Sequence, residues 1–222
     1  MRTGDVLRGI GELILPRQCC GCERPGDVLC ARCREELRRP PHPVTRPNDI
    51  GVPVFALGPY SQMRRNLIIG MKEKNNQPVR PLVGAVVAAG IAHLQARGEL
   101  PGAVDLVPAP TRSRSARQRG GDPVAHMCQA AAQQLGGHTQ VRSVLRIRGR
   151  VADQTSLSAA DRWANMVHAI ELVPQAGISG RAPRPVVVVD DVITTGATLA
   201  ASARRLRGAG ISVAGALVLA DA

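Results

Sequence analysis

The stretch Pro185 to Ala200, PVVVVDDVITTGATLA, constrains what this chain can fold into more than any other. Val186 to Val189 form an apolar run with strong β propensity and no polar alternation. Such a run suits a strand buried on both faces, as in a parallel sheet covered by helices. Asp190 and Asp191 follow at the carboxyl end of that strand. Thr194, Thr195, Gly196, Ala197 and Thr198 then make a small, hydroxyl-rich turn into a helix predicted over Ala197 to Leu206. A glycine turn feeding a helix N-terminus offers backbone N–H groups and a positive dipole end, which suit a phosphate. The adjacent carboxylates accept hydrogen bonds from neutral donors such as sugar hydroxyls. Together they describe a site for a ribose 5-phosphate, with phosphate on residues 194–198 and the 2′- and 3′-hydroxyls on the aspartates.

Two other chemistries place an acidic pair after an apolar strand. A nucleotide-hydrolysing Walker B strand needs a G-x-x-x-x-G-K-[ST] loop elsewhere, and the only lysines, Lys72 and Lys74, stand in no such context. A receiver domain carries its acidic pair after the first strand, and too little chain follows Asp191 for that arrangement. A buried strand followed by an ordinary polar loop explains the valines but not the paired carboxylates, threonines and glycine.

With 222 residues the chain can bury a full core and carry a small appendage. Phe55, Tyr60 and Trp163 are the only aromatic residues, so the core is expected from Val, Leu, Ile and Ala. The net charge is +12, from a basic set made almost wholly of arginine. That charge fits either a polyanionic partner or anionic substrate, or a solvated surface set by arginine-preferring composition. Arg8 and Glu12 interrupt the apolar stretch near the start, so no secretory signal is expected. The longest apolar segment, Pro81 to Leu94, falls short of the ~20 helical residues that span a bilayer. A cytoplasmic protein without membrane contact is expected, in a compartment where clustered cysteines signal metal rather than disulfides.

Val6, Leu7, Ile10, Leu13 and Ile14 recur at helical spacing, and Pro16 ends that pattern. Next stand two knuckles, Cys19-x2-Cys22 and Cys30-x2-Cys33, separated by a short Pro-Gly loop. Four thiolates at this spacing can close around one tetrahedral, structural Zn²⁺. Cys19 is preferred to Cys20 as the first ligand, because one residue between Cys20 and Cys22 is too short a span. A redox C-x-x-C is the rival reading, but one motif at a helix start serves that chemistry, not two.

The proline-rich segment Arg38 to Pro53 reads as a linker, giving an N-terminal helix and knuckle over 1–45 and a main domain over 46–222. Strands are predicted at Val54 to Leu57, Asp105 to Pro110, Val141 to Arg150 and Ile211 to Leu219. Helices are predicted at Met63 to Met71, Pro81 to Arg97 and Val124 to Leu135. In the strand predicted at Val141 to Arg150, alternation would let three of Arg142, Arg146, Arg148 and Arg150 share one face. Ser158 reads as a helix N-cap. The fold class expected is α/β, a mainly parallel sheet with helices on both faces, the ligand lying at the strand carboxyl ends.

The segment VVVVDDVITTGAT resembles the phosphoribosyl pyrophosphate signature of type I phosphoribosyltransferases, and its surroundings resemble the ComF family of competence-associated proteins. The double cysteine knuckle is similar to the one that precedes the transferase-like domain in that family. DLVPAP at 105–110 resembles its pyrophosphate loop, which implies a substrate role for Ala109 and for the arginines that follow, Arg112, Arg114, Arg117 and Arg119. Lys72 is similar to the family's lysine-containing segment. Gln154, Leu157, Ser158, Arg162 and Asn165 match its Gln-x-x-Leu-Ser-x-x-x-Arg-x-x-Asn motif, which approaches the active-site mouth in relatives. Where relatives continue Arg-Gly-Phe-Asn-Gln, this chain has Arg119-Gly120-Gly121-Asp122-Pro123, so a different loop geometry is expected there. The resemblance implies a phosphoribosyltransferase using Mg²⁺, with Asp190 and Asp191 catalytic. It equally implies a non-catalytic partner of single-stranded DNA and a DNA helicase, for which arginine density suits phosphate contacts and aromatic poverty argues against base stacking.

Overall fold

The four valines lie at the heart of a five-stranded sheet, and both their faces are covered. The computed structural model describes residues 18–46, 49–72, 79–111, 121–136, 139–148, 169–173 and 184–222. In chain order the elements are α1 (Ala31–Leu37), β1 (His42–Pro43), β2 (Val54–Ala56), α2 (Gln62–Lys72), α3 (Val79–Ala96), β3 (Asp105–Pro108) and α4 (Pro123–Leu135). They continue with β4 (Leu145–Ile147), β5 (Ile170–Leu172), β6 (Val186–Ile193), α5 (Ala197–Gly208) and β7 (Val213–Asp221).

The sheet order is β1-β2-β7-β6-β3, with β2, β7, β6 and β3 parallel and only β1 antiparallel. The architecture is α/β, built on a mostly parallel mixed sheet. Val187, Val189, Leu217 and Leu106 pack in one layer with α2, α3 and α4. Val186, Val188, Ala216 and Val107 pack in the other with α5 and the antiparallel β4–β5 ribbon. Each side chain of the run therefore has an apolar partner, which is why no polar residue interrupts it. Among the described residues, α3 is long and apolar enough to cross a membrane by length and composition. Here Val79, Val83, Val87, Ile91 and Leu94 turn one side of it into the core.

Four elements differ from the sequence reading. β6 does not stop at Val189 but runs through both aspartates to Ile193, because β7 continues beside it as far as Asp221. The predicted strand over Val141 to Arg150 is split between two sheets. Val141 bridges to Leu106, whereas Leu145–Ile147 pairs with Ile170–Leu172. Arg142 is consequently buried in an ion pair with Asp105 and drops out of the set, whereas Arg146 and Arg148 share a face and both reach Glu171; Arg150 lies outside the described residues. The proline-rich segment contributes β1, an edge position where Pro43 needs no N–H for the ladder. Cys19, Leu29, Cys33 and Leu37 of the knuckle share one apolar cluster with the sheet.

Candidate functional site

The direction in which successive strands are added reverses between the parallel neighbours β3 and β6. From β3 the path runs through α4, on one face, outward to the bridge at Val141. From β6 it runs through α5, on the opposite face, inward to β7. Such a switch point leaves a crevice at the strand carboxyl ends, where open α/β sheets bind ligands. Asp190 and Asp191 stand at this edge on β6. Ala109 lies beside them, its N–H donating to the Val189 carbonyl at 2.8 Å and extending the ladder one residue past β3.

Lys72, the last residue of α2, is brought to the pair and forms an ion pair with the Asp191 carboxylate. The Asp190 carboxyl is pushed up to about 8. Burial is the main cause and the neighbouring Asp191 charge adds to it, while the Asp191 N–H and the Lys72 cation oppose it. The Asp191 N–H donates to Asp190 Oδ1 at 2.8 Å.

Past the aspartates, Thr194 and Thr195 are exposed and Gly196 turns the chain into α5 with φ 79°. Ala197 and Thr198 open the helix, whose N-cap is Gly196 without a side chain, and the Ala197 N–H donates to Thr195 Oγ1 at 3.4 Å. A Cβ at Gly196 would lie 3.1 Å from Ile50 Cδ1 and 3.4 Å from Arg46 Cβ, so the turn requires glycine for conformation and for space. Arg46 therefore sits against the turn, and its guanidinium spans the Ala222 carbonyl (3.0 Å) and the Asp221 carboxylate (3.7 Å). No sequence signal marks Arg46, whose place depends on packing across the whole sheet.

Asp122 is a second residue that the sequence reading missed as a contributor. Its Oδ1 accepts from the Val124 N–H (2.9 Å) and Ala125 N–H (3.3 Å), and Pro123 takes the first helical position of α4. Its Oδ2 accepts from the Thr111 hydroxyl at 2.6 Å. The Asp-Pro pair was a readable start signal for a helix. Thr111 and Asp122 flank the segment that carries Arg112, Arg114, Arg117 and Arg119, so its two ends are tied together at the acidic edge. Those arginines lie outside the described residues, as do Arg150, the 154–165 motif and the predicted helix at Val6 to Ile14.

The second centre is the knuckle. The Sγ atoms of Cys19, Cys22, Cys30 and Cys33 all lie within 4.8 Å of one another, with Cys22 and Cys30 at 3.6 Å. Cys20 is not one of this group. A four-sulfur set at such separations could hold a metal ion, and Zn²⁺ favours it. Burial alone would raise the Cys19 thiol, but the backbone N–H groups of Cys30, Cys22 and Gly21 outweigh it and lower it to about 6. Cys33 is raised, first by burial and then by the neighbouring thiols. Gly21 is needed inside the knuckle, because a Cβ there would come within 2.8 Å of Met63 Cγ and 2.9 Å of Cys33 Sγ.

Fold and sites together define an α/β protein with a mostly parallel sheet, an acidic pair at its switch point and a four-cysteine cluster near its N-terminus. No protein-family model matches the chain, and no curated protein matches it.

Proposed function

We propose that the chain is a ComF-like protein of type I phosphoribosyltransferase fold. In this reading it binds phosphoribosyl pyrophosphate with Mg²⁺ and transfers the phosphoribosyl group to an acceptor, releasing pyrophosphate. The observation that carries this reading is a convergence at the sheet's switch point. It brings together the acidic pair, the left-handed glycine turn that opens α5 and the tied ends of the arginine-bearing segment. A backbone anion nest beside two carboxylates matches a ligand with a phosphate at one end and hydroxyls next to it.

In this reading the backbone of Thr194 to Thr198 receives the 5′-phosphate. Asp190 and Asp191 accept hydrogen bonds from the ribose hydroxyls, displacing Lys72 from Asp191 toward the diphosphate. Arg112 and Arg119, with the Ala109 backbone, receive pyrophosphate as the C1′–O bond breaks and its electron pair leaves with oxygen. The acceptor's lone pair then forms the new bond to C1′. Catalysis is positioning and charge stabilisation of a ribosyl cation, without a covalent enzyme intermediate. When bound, Mg²⁺, which Asp190 and Asp191 would help to hold, would supply positive charge that neutralises the diphosphate. Zn²⁺ on Cys19, Cys22, Cys30 and Cys33 is structural, since four protein ligands leave no open position. In this reading the protein works in the cytoplasm, where such thiols stay reduced.

Calorimetry tests the ligand assignment. The Asp190→Asn, Asp191→Asn double variant should weaken phosphoribosyl pyrophosphate by at least ~2 kcal/mol and inorganic phosphate much less. Equal losses for both ligands would sink the assignment. Screening nucleobases and amines for pyrophosphate release would then identify the acceptor.

A second reading, a single-stranded-DNA module working beside a helicase, is favoured by a different observation. A cavity of about 520 Å³ between α5 and the β4–β5 ribbon is lined, among the described residues, by Arg148, Arg204 and Arg205 and by one acid, Glu171, which pairs with Arg148. If DNA tracks there, replacing Arg204 and Arg205 with glutamine should flatten the salt dependence, whose slope is ~0.7 per phosphate neutralised. An unchanged slope rejects that track.

A further inference from the structure

Helix α2 touches both centres. In its first turns, Asn66 Nδ2 donates to the Gly21 carbonyl (3.0 Å) and to Glu23 Oε1 (3.1 Å), both inside the knuckle. Met63 packs so closely on Gly21 that a Cβ there would come within 2.8 Å of Met63 Cγ. Arg64, fully buried, pairs with Glu36 at 3.5 Å and donates to the Leu57 carbonyl at 2.7 Å. At the other end of the same helix, Lys72 holds Asp191. The whole 11-residue helix, about 16 Å long, links the two.

We propose that the metal-loaded knuckle is a positioning element for the acidic site: its folded state fixes α2, and α2 in turn places Lys72 on Asp191. The inference rests on the metal reading of the four cysteines but not on any particular ligand of the acidic pair.

Four-cysteine knuckles of this kind take their folding energy from the metal, so the knuckle has two states, folded when loaded and loosened when empty. Loosening removes the carbonyl that Asn66 bonds and the carboxylate that Arg64 pairs. Burial already pushes the Arg64 guanidinium down, and the Glu36 charge is what chiefly opposes it. A buried cation that loses its carboxylate is strongly disfavoured, so Arg64 is driven toward water and carries the start of α2 with it. Leu67, Ile68 and Met71 keep the helix on the sheet, so the expected response is a tilt that withdraws Lys72, not detachment.

The test uses amine acylation read by peptide mass spectrometry. Lys72 and Lys74 are the only lysines, so Lys74 serves as the internal reference. The full chain is compared zinc-loaded, stripped by chelator under reducing conditions, and as the zinc-loaded Asn66→Ala variant. Stripping should raise Lys72 labelling relative to Lys74 roughly three- to fivefold, the upper scale of losing a partly exposed ion pair. Asn66→Ala should raise it about twofold with zinc content unchanged, since only one link is cut. If stripping unfolds the sheet as well, seen as exchange of the Val87 and Val187 amides, Asn66→Ala decides alone. Lys72 labelling that stays at the loaded rate in the variant and in folded, stripped protein overturns the coupling. Absence of zinc from the purified chain overturns the metal reading instead, which metal analysis registers separately.

Discussion

A carboxyl group at the end of a buried strand keeps its charge only if its neighbours supply enough compensation. For Asp190 they do not: burial and the Asp191 charge outweigh the one N–H and the Lys72 cation, and its pKa rises from 3.8 to about 8. The folded chain then holds a proton that the unfolded chain has already lost. Stability from this group is therefore fully present below the unfolded value and declines as pH rises toward the folded value. Asp190→Asn, which mimics the neutral acid, should gain stability over the parent as pH increases. The difference should grow by at least about 1 kcal/mol between about pH 5 and pH 8 in denaturant unfolding. A difference that is flat with pH would show that Asp190 is ionised throughout. A ligand that needs the carboxylate must expel the same proton. Calorimetry at about pH 7 in buffers of different ionisation enthalpy should thus show release of up to about one proton per ligand bound. Asp190→Asn should abolish that release.

At the scale of elements, α4 depends on Asp122 in two ways, as helix cap and as the acceptor that ties Thr111. Asp122→Ala should cost about 1–2 kcal/mol of unfolding free energy, with Asp122→Asn retaining most of it. Equal stability of all three proteins would remove the cap from the account. The elements that were legible in the sequence carry their own period: the valines of β6, the apolar stripes of α2 and α4, and the alanine-rich start of α5. Their ends were less so. β6 extends to Ile193 only because β7 lies alongside, a partner that no local window contains. The split of 141–148 had the same origin, since alternating arginines fit one long strand as well as a bridge to β3 followed by a ribbon strand. The site divides likewise. Asp190, Asp191, Gly196 and the four cysteines stand in contiguous motifs, whereas the contacts of Lys72 with Asp191 and of Arg46 with the Gly196 turn join distant segments.

Over the whole molecule, the knuckle and the sheet share one core. Cys19, Cys33, Leu29 and Leu37 pack in the same cluster as Leu57, Leu67, Val87 and Leu217, and β1, within 1–45, adds a strand to the main sheet. Arg64 joins the end of α1, the end of β2 and α2 through Glu36 and Leu57. A boundary near residue 45 crosses these contacts, so loosening of the knuckle on metal loss should weaken the sheet as well. For a chain of this size, each kcal/mol lost lowers Tm by about 2–4 °C, so losing even ~4 kcal/mol of metal-linked stability should lower it by about 8–16 °C. Chelation under reducing conditions should therefore move the sheet's own transition downward, read by hydrogen exchange at Val187, with Leu37 losing its protection first. A Val187 transition indifferent to chelator would mean that the shared cluster contributes little to holding the sheet.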